Sequence, residues 1–160
     1  IYGTDGRGAS NLIVRPTGTR PPFIHKDTTP EDDPPSGTKD NGYLYMNGAE
    51  IFTFTLESVP KAVEQLLKKS NHCIEDVDVF VFHQANEFML KHLRDKIGIP
   101  KDKFFIFLAS CGNTVSCSIP IALCEAQKKG RLKSGDKVML VGFGVGYSWA
   151  ASLVTWQPNN

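Results

Sequence analysis

A chain of 160 residues is long enough to bury one sizeable core. Its 18 Lys plus Arg against 17 Asp plus Glu give a formal net charge of +1, so nothing like the basic field that nucleic acid or an anionic membrane attracts is present. The 41% hydrophobic and 22% charged fractions are those of an ordinary globular domain, and no run reaches the roughly 18 apolar residues of a spanning helix.

The chain opens Ile1-Tyr2-Gly3-Thr4, without an initiator methionine or a basic stretch leading into an apolar run, and reads as a piece of a longer protein. Residues 1–20 are rich in turn formers around a short strand, Asn11–Arg15. From Pro16 to Gly42 proline recurs too often for a helix or central strand, and the segment reads as a surface excursion. Apolar residues then recur at three- and four-residue steps, which predicts a helix over Thr53–Lys69. Pro60 inside it implies a start near Ser58 or a bend.

Val77–Phe82 is a β-branched and aromatic run, a buried strand that ends at His83. A helix follows over Glu87–Ile97, closed by Gly98 and Pro100. Next come a strand at Phe104–Leu108 and a helix at Asn113–Lys129 ended by Gly130. Two strands, Lys137–Val141 and Ser148–Trp156, flank the glycine-rich Gly142–Gly146. This alternation predicts an α/β fold, a mostly parallel sheet covered by helices and closed by an antiparallel hairpin.

In such sheets sites gather at the carboxyl ends of the strands. Three loops fall there: His83-Gln84-Ala85-Asn86, Cys111-Gly112-Asn113-Thr114 and Gly142-Phe143-Gly144-Val145-Gly146. An imidazole N–H and an Asn amide N–H can converge on one oxygen as an oxyanion hole. A glycine strip lets backbone N–H groups approach a substrate closely. Those parts suit an enolate or tetrahedral oxyanion formed at a thioester.

The four cysteines, Cys73, Cys111, Cys117 and Cys124, include no CxxC pair and no finger-spaced His. They read as reduced thiols of a cytoplasmic protein, with Cys117 and Cys124 packed as small apolar groups. No metal site is expected. Cys111 has no base aimed at it and reads as incidental. Lys128, Lys129, Arg131 and Lys133 cluster at a helix end, which the helix dipole favours; a docking surface is the alternative.

Taken together in order and spacing, the three loop motifs resemble the β-ketoacyl-(acyl carrier protein) synthase III family of condensing enzymes. Met46-Asn47-Gly48, Ile119-Pro120-Ile121-Ala122-Leu123 and Gly130-Arg131-Leu132-Lys133-Ser134-Gly135-Asp136 add to the likeness, which runs from Tyr45 to Trp156. The resemblance implies the carboxy-terminal half of a thiolase-like fold. Residues 1–44 would be an amino-terminal strand and loop excursion, and residues 45–160 the family's C-terminal domain.

The activity implied is decarboxylative Claisen condensation, an acyltransferase reaction that joins an acyl-coenzyme A primer to a malonyl thioester in fatty acid or related biosynthesis. His83 and Asn113 would hold the malonyl thioester carbonyl, and backbone N–H groups around Val145 and Gly146 would serve a second oxyanion hole. Gly48 and Phe52 would lie near the pantetheine and coenzyme A tunnel, with Gln84, Asn86 and Phe143 in the substrate region. The resemblance puts the nucleophilic cysteine in an amino-terminal half that this chain lacks, so the chain alone is expected to be inactive. It implies no cofactor beyond the two substrates.

The partners implied are that other half, a second copy in a homodimer, and an acyl carrier protein. Relatives often carry a basic residue two places after the Asn86 equivalent; here it is Phe88, preceded by Glu87, which weakens charge-assisted docking of an acidic carrier. Two alternatives stand beside this reading. One is a non-catalytic thiolase-fold subunit that binds an acyl chain or partner; the other is a related polyketide, quinolone or hydroxymethylglutaryl-type synthase.

Overall fold

The computed structural model describes residues 1–14, 44–144 and 146–157; the proline-rich segment and Val145 lie outside them. In chain order the elements are β1 (Tyr2–Thr4), β2 (Leu12–Val14), β3 (Leu44–Met46), α1 (Gly48–Ser70), β4 (Val79–Phe82), α2 (Glu87–Ile97), β5 (Phe104–Phe105), α3 (Ser118–Lys128), β6 (Lys137–Gly144) and β7 (Ser148–Thr155). Short 3₁₀ turns occupy Gly6–Asn11, Ile74–Asp76 and Val115–Cys117.

Five strands form one sheet in the order β1-β7-β6-β4-β5, and β2 pairs antiparallel with β3 apart from it. The centre is parallel, as the alternation predicts: β4 runs with β5 on one side and β6 on the other. The expected hairpin of β6 and β7 closes it. An unexpected strand, β1, adds a second antiparallel pairing at the β7 edge.

All four residues of β4 are buried because helices cover both faces of it. Phe80 and Phe82 face α1 and α2 in one core with Val59, Val63, Leu90, Leu93, Met139 and Val141. Val79 and Val81 face α3 in a second core with Phe105, Ala122, Ala126 and Val138. The period-2 alternation of one strand therefore feeds two cores. At the far edge β7 packs Ala151 and Leu153 against the first core, while Ser148, Ala150, Ser152 and Val154 on its other face stay exposed.

Several boundaries differ from the sequence reading for local reasons. Helix α1 begins at Gly48, before the expected Thr53, because the Asn47 side chain caps it by accepting from the Glu50 N–H. It then continues through Pro60, since burial of Phe54, Val59, Ala62, Val63 and Leu66 outweighs the one backbone bond that proline forfeits. Strand β5 is two residues long because Gln84 Oε1 accepts the Phe107 N–H at 2.7 Å, in place of a ladder partner. Helix α3 starts at Ser118 and not Asn113, because Gly112 and Val115 hold positive φ values of 65° and 54°.

The glycine run shortens likewise. Gly142 and Gly144 pair with Ala150 and Ser148, so β6 extends through most of the expected turn. Strand β1 hid in the sequence because its middle residue is glycine, which the fold requires: a Cβ on Gly3 would lie 2.4 Å from the Trp149 ring. Gly8 is held the same way, with the Tyr147 ring 2.3 Å from where its Cβ would stand. Tyr147 in turn stacks on Phe54 at 4.0 Å and its hydroxyl accepts from Asn11 Nδ2 at 2.6 Å.

The surface resolves two further expectations. All four cysteines are exposed, so Cys117, in the turn before α3, and Cys124, on α3, do not pack as apolar groups. In the basic cluster Lys128 pairs with Glu125, Lys129 sits 4.9 Å from the centre of the Phe107 ring, and Arg131 donates to the Asp102 carbonyl. Among the described residues no helix is long and apolar enough to cross a membrane.

Two substitutions test this packing. Pro60→Ala restores the missing helical donor; the roughly 3 kcal/mol helix penalty of proline, less up to about 1 kcal/mol of unfolded-chain entropy, should leave it more stable by about 2–3 kcal/mol in urea denaturation. No gain would mean that the helix is already distorted at that turn. Gly8→Ala forces a methyl into the buried Tyr147 ring and should destabilise by on the order of 1–3 kcal/mol, read in the same assay.

Candidate functional site

The parallel pairing of β4 with β5 and β6 brings their carboxyl ends to one rim, and the three loops leave from that rim. Pairing carries one residue past β4, where the His83 N–H donates to the Val141 carbonyl at 2.7 Å and fixes the backbone of the His. His83, Asn113, Val115, Ser118, Phe143 and Trp149 are among the walls of one cavity of about 620 Å³, floored by β6 and β7 and edged by β1.

His83 is half-buried, and its ring meets Phe143 edge-on with centroids 5.3 Å apart. Its Nδ1 lies 2.6 Å from Ser118 Oγ at the head of α3. Burial pushes the imidazolium below its ordinary pKa, only partly opposed by the backbone of Val115, which favours a ring N–H. The ring is therefore neutral near neutral pH, held at Nδ1 by Ser118 Oγ.

Asn113 is exposed in the loop after β5. Its Oδ1 accepts the Val115 N–H at 2.9 Å, an Asx turn that occupies the acceptor end and leaves Nδ2, with its two hydrogens, as the free end. An imidazole and an amide with its two N–H groups free thus line one cavity, a pair able to meet an oxygen that gathers negative charge.

The other residues singled out from the sequence fall in different places. Phe143 lines the cavity beside His83. Gln84 is 1% exposed, and both ends of its amide serve the backbone: Nε2 donates to Phe82 O at 2.6 Å, and Oε1 takes the Phe107 N–H. Asn86 caps α2, its Oδ1 accepting from Met89 N–H at 2.8 Å. Gly48 opens α1, and Phe52 stacks with Phe88 at 5.9 Å and tilts toward His92 at 5.9 Å. Gly146 has φ +134° and is not among the cavity's walls, while Val145 lies outside the described residues.

Two contributors were missed in the sequence, Ser118 and Val115. Ser118 is buried and hydrogen-bonded to a residue 35 positions away, a pairing that no local pattern reveals. The signal available was a Ser opening an otherwise apolar helix, Ser118-Ile119-Pro120-Ile121-Ala122. Among the described residues no three His, Cys, Asp or Glu side chains gather into a metal-binding cluster.

The depressed His83 pKa has a consequence for stability. Below the ordinary value of 6.5 the unfolded chain takes up a proton that the native ring resists, so this contribution is complete above about pH 6.5 and is lost as pH falls. The Tm gap between wild type and His83→Gln should therefore narrow from pH 8 to pH 5 in thermal melts. A gap independent of pH would show that the native ring titrates like a solvated one.

The description "3-Oxoacyl-[acyl-carrier-protein (ACP)] synthase III C terminal" belongs to the family model that matches residues 67–156, a span that contains His83, Asn113, Ser118 and Phe143. The beta-ketoacyl-[acyl-carrier-protein] synthase III of Clostridium tetani (strain Massachusetts / E88) is 41% identical over 160 residues, covering 96% of this chain and 46% of that protein. A crystal structure of a 3-oxoacyl-(acyl-carrier-protein) synthase III aligns with TM-score 0.84 at 46% identity, over 98% of this chain and 46% of that one. The corresponding enzyme of Thermus thermophilus aligns with TM-score 0.81 at 36% identity, over 98% of this chain and 45% of that one. This chain thus spans less than half the length of these relatives, and its mixed sheet with covering helices is the carboxy-terminal half of their thiolase-type fold. It belongs to the 3-oxoacyl-[acyl-carrier-protein] synthase III family.

Proposed function

We propose that this chain is the carboxy-terminal half of a condensing acyltransferase, and that His83 and Asn113 together stabilise the enolate formed when a malonyl thioester loses carbon dioxide. One observation carries the reading: each side chain has its other polar end occupied, His83 Nδ1 by Ser118 and Asn113 Oδ1 by Val115, and both border the same cavity. In the step, the carbon–carboxylate bond breaks and its electron pair moves through the α-carbon to the thioester oxygen. Two N–H donors meet that oxygen as it charges. The α-carbon then attacks an acyl thioester on a cysteine of the amino-terminal half and expels the thiolate.

Loss of carbon dioxide drives the step, so the reading needs no metal or redox cofactor; the substrates are an acyl-coenzyme A primer and a malonyl thioester. The uncovered face of β7, with Ser148 and Ala150 exposed at the cavity and Ser152 exposed beyond it, supports a seat for the missing half. A homodimer of the completed protein, a cytoplasmic location and a role in fatty acid biosynthesis follow from the same reading. Phe88, 71% exposed at the start of α2, puts an apolar ring where a cationic docking residue would otherwise stand, so the extender's carrier is a coenzyme A or a carrier protein held without that charge.

The test is complementation. The chain is mixed or co-expressed with the amino-terminal half of the Clostridium tetani relative, and carbon dioxide release and 3-oxoacyl product are followed. The chain alone should make no product and the pair should condense. His83→Ala and Asn113→Ala should each slow decarboxylation by about 10²–10³-fold. A reconstituted pair that decarboxylates equally well without either donor would overturn the assignment. A folded pair that binds acyl-coenzyme A but never turns over would point to the non-catalytic reading instead.

A further inference from the structure

Ser118 is 2% exposed at the first turn of α3, and the hydrogen balance around it is closed. Its Oγ accepts the Gln84 N–H at 3.3 Å and lies 2.6 Å from His83 Nδ1. A hydroxyl has one hydrogen to donate and two lone pairs. Gln84 fills one lone pair, so the remaining question is what takes the hydrogen. A buried O–H without a partner costs about 1–3 kcal/mol, and the neighbour within hydrogen-bond reach that can accept is the His83 ring.

We propose that Ser118 is the positioning residue of His83: its hydroxyl donates to Nδ1 and so holds the neutral ring as the Nε2–H tautomer. The donor end of the imidazole is then the one left for a ligand in the cavity. The Gln84 contact gives this direction. Because Gln84 is pinned at both ends of its amide, to Phe82 O and Phe107 N–H, its own backbone N–H is held toward Ser118 Oγ. The Gln84 N–H can only donate, so of the two groups on the hydroxyl the His83 ring is the one able to take its hydrogen. The loop after β4 thus meets the first turn of α3 at this serine, and Gln84 ties the same loop to the segment after β5. The consequence for catalysis rests on the function proposed above; the tautomer itself does not.

The test is long-range ¹H–¹⁵N correlation on ¹⁵N-histidine-labelled protein near pH 8, with the His83 signals assigned from their loss in His83→Gln. Wild type should show the Nε2–H pattern. Ser118→Ala should lower the Nε2–H to Nδ1–H ratio by about tenfold, since only the Val115 backbone is left to select a ring N–H. Ser118→Thr, which keeps the hydroxyl, should restore the wild-type ratio; a side chain that merely fills space would not discriminate between Ala and Thr in this way. A wild-type ring protonated at Nδ1, or an alanine variant with the wild-type ratio, would overturn the proposal. If the alanine variant does not fold, the wild-type and threonine spectra still decide the tautomer. The readout involves no turnover, so failed complementation leaves this result standing, and a failed tautomer test leaves the condensation assay open.

Discussion

Parallel pairing of β4 with both of its neighbours is the constraint on which the rest of the molecule depends. Parallel strands end on the same side, so three loops far apart in the chain leave the sheet from one rim, and a His, an Asn and a glycine strip come to border one cavity. An antiparallel β4 would have sent His83 to the opposite edge. The same pairing explains why β4 must be apolar on both faces: with α1 and α2 on one side and α3 on the other, no residue of the strand meets water. The geometry of the site and the composition of its central strand have one cause.

Within that frame, the character of the site comes from the acceptors that are already in use. His83 could in principle accept at Nδ1, and Asn113 could accept at Oδ1. Ser118 meets the first and the Val115 N–H the second. What remains on each is donation. A cavity whose free polar capacity is donor-rich favours an oxygen that is becoming an anion over one that is neutral, which is the differential that lowers a barrier. Burial acts in the same sense on His83 by disfavouring its cationic form, so the ring meets a substrate as a neutral donor and not as a fixed charge.

Much of this was legible in the sequence, and the remainder was hidden for definite reasons. Helix α2 was read to the residue because both of its ends carry local chemistry, Asn86 as cap and Gly98 in the left-handed conformation. Strand β4 was plain from its β-branched and aromatic run. The three rim loops could be placed because glycine and polar residues interrupt strong apolar periods. Helix α1 was misjudged at its start because Pro60 is a strong local signal and the burial that overrides it is tertiary. Strand β1 was unreadable because three residues around a glycine look like a turn until Trp149 is packed against them. Ser118 lay beyond reach for the same kind of reason, since its partner comes from another loop.

The loop that carries Asn113 shows what a site of this kind demands of its scaffold. Val115 has φ +54°, a conformation that a β-branched residue adopts only at a cost of order 1–3 kcal/mol. That cost is tolerable because the loop is held from both sides. The Cys117 N–H reaches the Thr114 carbonyl, the Ser118 N–H reaches the Val115 carbonyl, and Gly112 N–H ties back to Leu108. The strained residue is also the one whose N–H orients Asn113, so relaxing it into the right-handed region would release the amide it aims. The strain is located one hydrogen bond from a donor and three residues before Ser118 at the first turn of α3, which holds the other donor. Both side chains are thus referred to the same helix end, His83 through Ser118 and Asn113 through Val115.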